Sequence, residues 1–413
     1  MTEIKNYKLT KYACYYTYLS SSSIFGLPPV LFVTFREMYG ISYTLLGTLV
    51  LINFCTQLLI DLIFSFFSKY FNIRNTVRIM PLITSLGMLI YALVPTFFPQ
   101  YAYIGLALGT VIFSVSAGLG EVLLSPLIAA IPSDTPDKDM SLLHSLYAYG
   151  LVSVVIISTL YLKIFGTENW MYLTLFFAVL PIVSFILYSI APIPEMNISH
   201  NDSGSKAKKK TTGIILFMIC IFLGSAAENT MTNWVSGFME KALKMPKTAA
   251  DLLGLASFAI LLALGRTLYA KKGKNISNVL LLGMIGAVAC YLVAGLSTNV
   301  MVSMIACILT GYCTSMLWPG TLIMMEENFL DPGVSAYALM AAGGDFGASV
   351  APQMLGIVVD KVAASDLALR LGERLYLNPE QIGMKSGMLI ASIFPILGFF
   401  LLIYIKKKYY KKG

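Results

Sequence analysis

Charge is scarce in this chain. Only 12% of its 413 residues are Asp, Glu, Lys or Arg, while 57% are hydrophobic; an ordinary soluble domain carries about 25% charge. Histidine is nearly absent too, with two residues, His144 and His200. There is no Ser–His–Asp or HExxH arrangement and no Gly-rich phosphate loop, so the pattern argues against an enzyme. The six cysteines, Cys14, Cys55, Cys220, Cys290, Cys307 and Cys313, fall in or at the edges of apolar runs. Their positions imply neither a disulfide framework nor a metal spacing, and they read as small packing residues. No cofactor and no metal are expected. The net charge is +8, but no basic face belongs to a soluble domain, which argues against nucleic acid as a partner.

What fills the chain instead is apolar runs of about 20 to 30 residues between short polar turns, the length a helix needs to cross hydrocarbon. Alternating β-barrel patterning is missing. The expected fold is an all-α membrane protein of twelve transmembrane helices. The spans fall near 12–33, 41–67, 77–97, 101–130, 141–165, 169–191, 213–236, 249–270, 277–296, 300–325, 334–360 and 384–405. The first run, with four tyrosines and Ser20–Ser23, is too polar for a signal peptide and reads as a retained span that Pro28-Pro29 kinks near its outer end. A short surface helix is expected around Asp366–Tyr376. Proline, serine, glycine and lysine between Ala191 and Gly213 mark a linker. The expected parts are a six-helix bundle at 1–195, a linker at 196–212 and a second bundle at 213–413. Most of the 29 basic residues cluster in the segments that share a side with the N-terminus, the linker and the C-terminal tail. The positive-inside rule then places both termini in the cytoplasm of a multi-pass plasma-membrane protein, expected as a monomer in the lipid bilayer.

The stretch Gly118–Gly150 has a faint echo. Gly118, Pro126, Ala148 and Gly150 return as Gly311, Pro319, Ala341 and Gly343, each 193 positions on. Such a repeat predicts two bundles related by a pseudo-two-fold axis along the membrane normal, with spans four and ten matched.

Ionisable groups inside apolar runs are costly and mark pathways, proton sites or partners. Glu121 in span four and Asp345 in span eleven are candidates for proton coupling, against the plainer reading of hydrogen-bonded packing acids. His144, at the start of span five, reads as a relay or as a solvated capping residue. In span seven, Glu228, Asn229, Asn233 and Trp234 place an acid, two amides and an indole within two turns. Residues 229 and 233 share one face, which suits a polyol or sugar. Asn53 and Gln57 in span two, also four apart, add amides. Trp318 precedes Pro319 in span ten and either stacks on a sugar or packs at a kink. Asp61 and Arg266, near the inner ends of spans two and eight, are candidates for gating. Gly343 and Gly347 read as a close helix contact. No lysine or arginine is expected at the middle of a span, so the buried groups repel a dianion and suit a neutral polyhydroxy solute, a cation or a proton.

Twelve spans, a six-plus-six division and a basic central loop resemble the major facilitator superfamily over the whole chain. That family's G-x-x-x-D-R-x-G-R-R signature is degenerate here: Phe64–Arg74 carries Ser68 for the aspartate, Lys69 in the basic position and Asn72 for the glycine. Gly265-Arg266, with an acid in span four, is similar to fucose-permease-like sugar transporters, although that group's acid in span one is missing. The resemblance implies a secondary transporter of a small polar solute, a sugar or polyol, coupled to protons by alternating access. The alternative is proton-antiporting efflux of lipophilic or cationic drugs, whose usual G-x-x-x-G-P run is reduced here to Gly150 alone. A non-transporting sensor has the same pattern.

Overall fold

Backbone polar groups that leave water must be satisfied internally, and in hydrocarbon the helix does this within one segment. The computed structural model describes residues 7–67, 70–134, 136–194, 207–329 and 334–409, and no strand occurs among them. Eleven stretches are long and apolar enough to cross a membrane. They are Lys8–Tyr39, Tyr43–Phe64, Ile73–Phe97, Pro99–Ile128, Ser145–Phe165, Thr167–Ile190, Gly213–Lys241, Lys247–Tyr269, Ile276–Leu296, Val300–Asn328 and Pro379–Tyr409. One further helix, Val334–Ala363, has 30 residues, and its Gly- and Ala-rich centre around Asp345 dilutes its apolar character. With it as span eleven, the twelve spans run in chain order. The surface helix is Asp366–Leu375.

Local chemistry moved several boundaries. Span one is interrupted at Ser22, and its second helix, Ser23–Tyr39, contains Pro28 and Pro29. The reason is the serine run. Ser20, Ser21 and Ser23 hydroxyls donate back to the carbonyls of Thr17, Tyr18 and Ser20, a competition that bends helices. Ser22 Oγ donates to Tyr147 O of span five at 2.9 Å. Gly150 seats that contact, since a Cβ there would lie 2.3 Å from Ser22 Oγ. The helix of span seven begins at Ala207, inside the expected linker; residues 196–206 of that linker lie outside the described residues, as do Ser68 and Lys69. Asn72, in the signature's glycine position, instead caps span three, accepting from Asn75 N at 3.1 Å. Arg74 and Arg78 donate to Ile193 O and Tyr188 O, placing cations at the C-terminal end of span six, where the helix dipole favours them. Span twelve starts at Pro379, with Asn378 and Gln381 forming a reciprocal capping box.

The described residues fall into two compact units, drawn from Met1–Tyr39 with Cys55–Ser199 and from Gly40–Phe54 with His200–Gly413. Inside the first, Cys14, Phe64, Met80, Leu124 and Tyr188 belong to one apolar core. Trp170 anchors a second aromatic cluster, edge-on to Phe35 at 4.9 Å and to Tyr91 at 6.4 Å. Elsewhere in the unit, Lys11 pairs with Asp139, which also accepts from Ser133 Oγ at 2.6 Å and Tyr15 Oη at 3.2 Å. Inside the second unit, the first turn of span two rests on span eleven. Asp360 accepts from Tyr43 N at 3.3 Å and Thr44 N at 2.6 Å, a carboxylate on a helix N-terminus. Tyr43 Oη donates to Glu380 Oε1 at 2.8 Å.

Two outcomes follow from this packing. Trp170 is 1% exposed, so Trp170→Ala should destabilise the protein by about 3–5 kcal/mol, measured as a fall in the denaturation midpoint of the purified protein. The Lys11 ammonium, then the Ser133 hydroxyl, hold the Asp139 carboxyl below its ordinary value. A depressed carboxylate contributes stability that is present above its unfolded pKa, about 3.9, and is lost as pH falls through its lower folded value. Asp139→Asn should therefore lower the midpoint at pH 6 and leave a smaller acid-side decline than the parent shows below about pH 4; equal pH slopes would refute this role.

Candidate functional site

The second unit builds its site from a proline. Pro319 has no N–H to return to the carbonyl four residues back, which is Ser315 O. The helix accordingly breaks, Val300–Thr314 ending before a turn at 315–318 and Pro319–Asn328 resuming after it. The kink expected at Trp318-Pro319 is thus a break. The freed carbonyl is taken by Arg266 of span eight, whose Nε donates to Ser315 O at 3.0 Å. Gly265 permits the approach, because a Cβ there would stand 2.2 Å from Ser315 Oγ. Arg266 Nη2 then donates to Glu228 Oε1 at 2.9 Å, with side-chain exposures of 36% and 14%. A guanidinium expected only at a span end therefore reaches the carboxylate in the middle of span seven.

Next to that pair lies the polar face of span seven. Glu228, Asn229, Thr232 and Asn233 are half-buried on it, as the four-residue spacing predicts. Asn229 Nδ2 donates to Ser225 O and Oγ, both at 3.2 Å, and Asn233 Nδ2 to Asn229 O at 2.9 Å. Trp234 turns away into the core. It is 1% exposed, its Nε1–H donates to Pro352 O at 3.0 Å, and its ring meets Tyr43 at 5.6 Å. Trp318 packs on span eleven, where a Cβ on Gly344 would lie 2.2 Å from the indole.

Asp345 is buried in span eleven. Gly343 and Gly347 flank it on the opposite face, where added Cβ atoms would lie 2.6 Å from the Met218 side chain and 2.2 Å from Phe222 O; the small-xxx-small reading as a close contact with span seven describes them. Sequence reading missed Lys385 of span twelve. Only 8% exposed, it donates from Nζ to Ser297 O at 2.6 Å, a cation on the carbonyl that ends span nine. Sequence places it at the start of the run 384–405, where a lysine reads as an ordinary span-end charge; the helix beginning at Pro379 sets it further in.

In the first unit, Glu121 is exposed two-thirds along span four and Asp61 is half-buried in span two. Their carboxylate oxygens lie within 4.8 Å of one another. Gln57 in the same unit and Asn53 in the second are both buried. The His144 side chain lies outside the described residues.

Broken helices, carboxylates at membrane depth and two helical units match a known pattern. The sequence profile of the Major Facilitator Superfamily matches residues 15–352. The chain belongs to the Major Facilitator Superfamily. Solved members share its fold at low identity. A bacterial homolog to the human lysosomal transporter Spinster, inward-facing and occupied, is 12% identical with a TM-score of 0.77, covering 97% of each chain. The nucleoside transporter NupG is 14% identical with a TM-score of 0.67, covering 97% of this chain and 98% of that one. The E. coli fucose:proton symporter FucP is 12% identical with a TM-score of 0.60, covering 97% and 99%. No curated protein sequence matches the chain. As a superfamily member the protein is a multi-pass membrane transporter of small molecules.

The proline-to-carboxylate chain predicts coupled energetics. Arg266→Gln leaves Glu228 without its cation, while Arg266→Gln with Glu228→Gln removes both charges. The double variant should be more stable than the sum of the singles by about 0.5–3 kcal/mol in a thermodynamic cycle. Pro319→Ala restores the N–H that Ser315 O lacks and should shrink that coupling; additivity in both backgrounds would refute the linkage.

Proposed function

We propose that the protein takes up a small polar solute, a sugar or polyol, together with protons across the plasma membrane. Bundles 1–195 and 213–413 alternate access around the linker 196–212, and both termini are cytoplasmic, in keeping with the basic residues of linker and tail. The observation that carries this reading is the half-buried row of Glu228, Asn229, Thr232 and Asn233 on one face of span seven. Hydrogen-bonding groups at membrane depth persist where a polar guest or pathway needs them.

The proton enters through the first unit. Two carboxylates as close as Asp61 and Glu121 repel when both are ionised, and a shared proton relieves the repulsion. A fucose:proton symporter and a D-xylose-proton symporter are among the solved structures that share the fold, which is in keeping with this coupling. Efflux of lipophilic cations is the weaker reading, because Arg266 already neutralises Glu228, the acid such cations would seek.

Glu121→Gln keeps hydrogen bonding and loses titration. In proteoliposomes it should abolish accumulation of solute driven by a pH gradient while leaving counterflow exchange near the parent rate. Accumulation retained in this variant removes Glu121 as the coupling site.

A further inference from the structure

The orientation of the span-seven amides is dictated by their partners. Asn229 Nδ2 meets Ser225 O, and Asn233 Nδ2 meets Asn229 O. A backbone carbonyl only accepts, so each amide must turn its NH2 to the helix; flipped, it would set oxygen against oxygen. Both oxygens are therefore directed away from those carbonyls. Neither Asn229 Oδ1 nor Asn233 Oδ1 has a partner among the described residues. Glu228 repeats the pattern, with Oε1 taken by Arg266 and Oε2 unpaired. Even the threonine of this face directs its hydrogen inward, donating from Oγ1 to Glu228 O at 2.9 Å. Asn229 Nδ2 faces two acceptors on Ser225.

From this juxtaposition we infer that span seven selects its solute by hydrogen-bond donors. Asn229 Oδ1 and Asn233 Oδ1 form an acceptor row that takes hydroxyl or ammonium hydrogens, with the buried Glu228 Oε2 behind it. This rests on the reading of span seven as the solute face and adds to it the chemistry that face demands. Residues 229 and 233 are one turn apart, so two donors separated by about 6 Å along the axis satisfy both. An ether oxygen, a carbonyl or a fluorine offers the row a second acceptor and leaves two lone pairs opposed. Each hydroxyl that loses its hydrogen at this row should weaken binding about 5- to 150-fold.

The test is equilibrium binding to the purified full-length protein. The panel is L-fucose, D-xylose, sorbitol and 1,4-diaminobutane, with deoxyfluoro and O-methyl derivatives of whichever sugar or polyol binds. Deoxyfluoro substitution preserves size and removes the donor. The expected result is a loss in the stated range at two hydroxyls and little change at the others. Asn233→Leu should erase the penalty at one of them. Asn233→Ser returns a hydroxyl that donates to Asn229 O and still accepts, so it should restore the penalty and show that the fold survives. Fluorinated and methylated analogues binding like their parents overturn the donor rule while leaving polar-solute transport intact. Binding of none of the four parents defeats the sugar or polyol reading and this inference together, and binding of the diamine alone keeps the donor rule but defeats the sugar reading.

Discussion

One missing hydrogen organises the second unit. Proline at 319 deprives Ser315 O of its helical partner, and an orphan carbonyl away from water costs several kcal/mol. Arg266 answers with Nε, which brings a cation to membrane depth. That charge in turn needs a counter-ion, and Glu228 supplies one. Glu228 sits beside Asn229 and Asn233, so the requirement that begins in span ten ends at the polar face of span seven. Gly265 is part of the same arrangement, since any side chain there would keep span eight from the turn.

The first unit handles its polar groups differently. Pro126, the counterpart of Pro319 in the repeat, stays within the continuous helix Ala102–Ala129. The irregularity lies in span one, where a run of serines bonds to its own backbone and to Tyr147 O. Its membrane-depth acids, Asp61 and Glu121, lie near each other, where the second unit pairs its acid with an arginine. The contrast gives the two units distinct arrangements on one fold: neighbouring carboxylates in one, and an arginine–carboxylate pair beside two amides in the other.

Within the second unit, the first turn of span two is held by Asp360 and Glu380. Tyr43 and Asp360 are 317 positions apart. No local pattern announces such a contact. Its only trace is an acid at the end of an apolar run, close to helix-end residues that carry charge for many reasons.

Sequence alone determined that the chain is helical and membrane-spanning, because run length and scarcity of charge leave no other way to satisfy the backbone. It also determined that residues 229 and 233 share a face, since 3.6 residues per turn decides that locally. Position within apolar runs placed Glu121, Glu228 and Asp345 inside spans, and the four-residue spacing of Gly343 and Gly347 marked their close helix contact. Only the tertiary structure decided partners. Arg266 reads as an end-of-span charge until its reach to Glu228 and Ser315 is seen, and Trp234 reads as a sugar platform until Pro352 O takes its donor. Lys385 passes unnoticed until the end of span nine is found beside it. Periodicity fixes which way a side chain leaves its own helix, whereas what it meets depends on neighbours tens or hundreds of residues away.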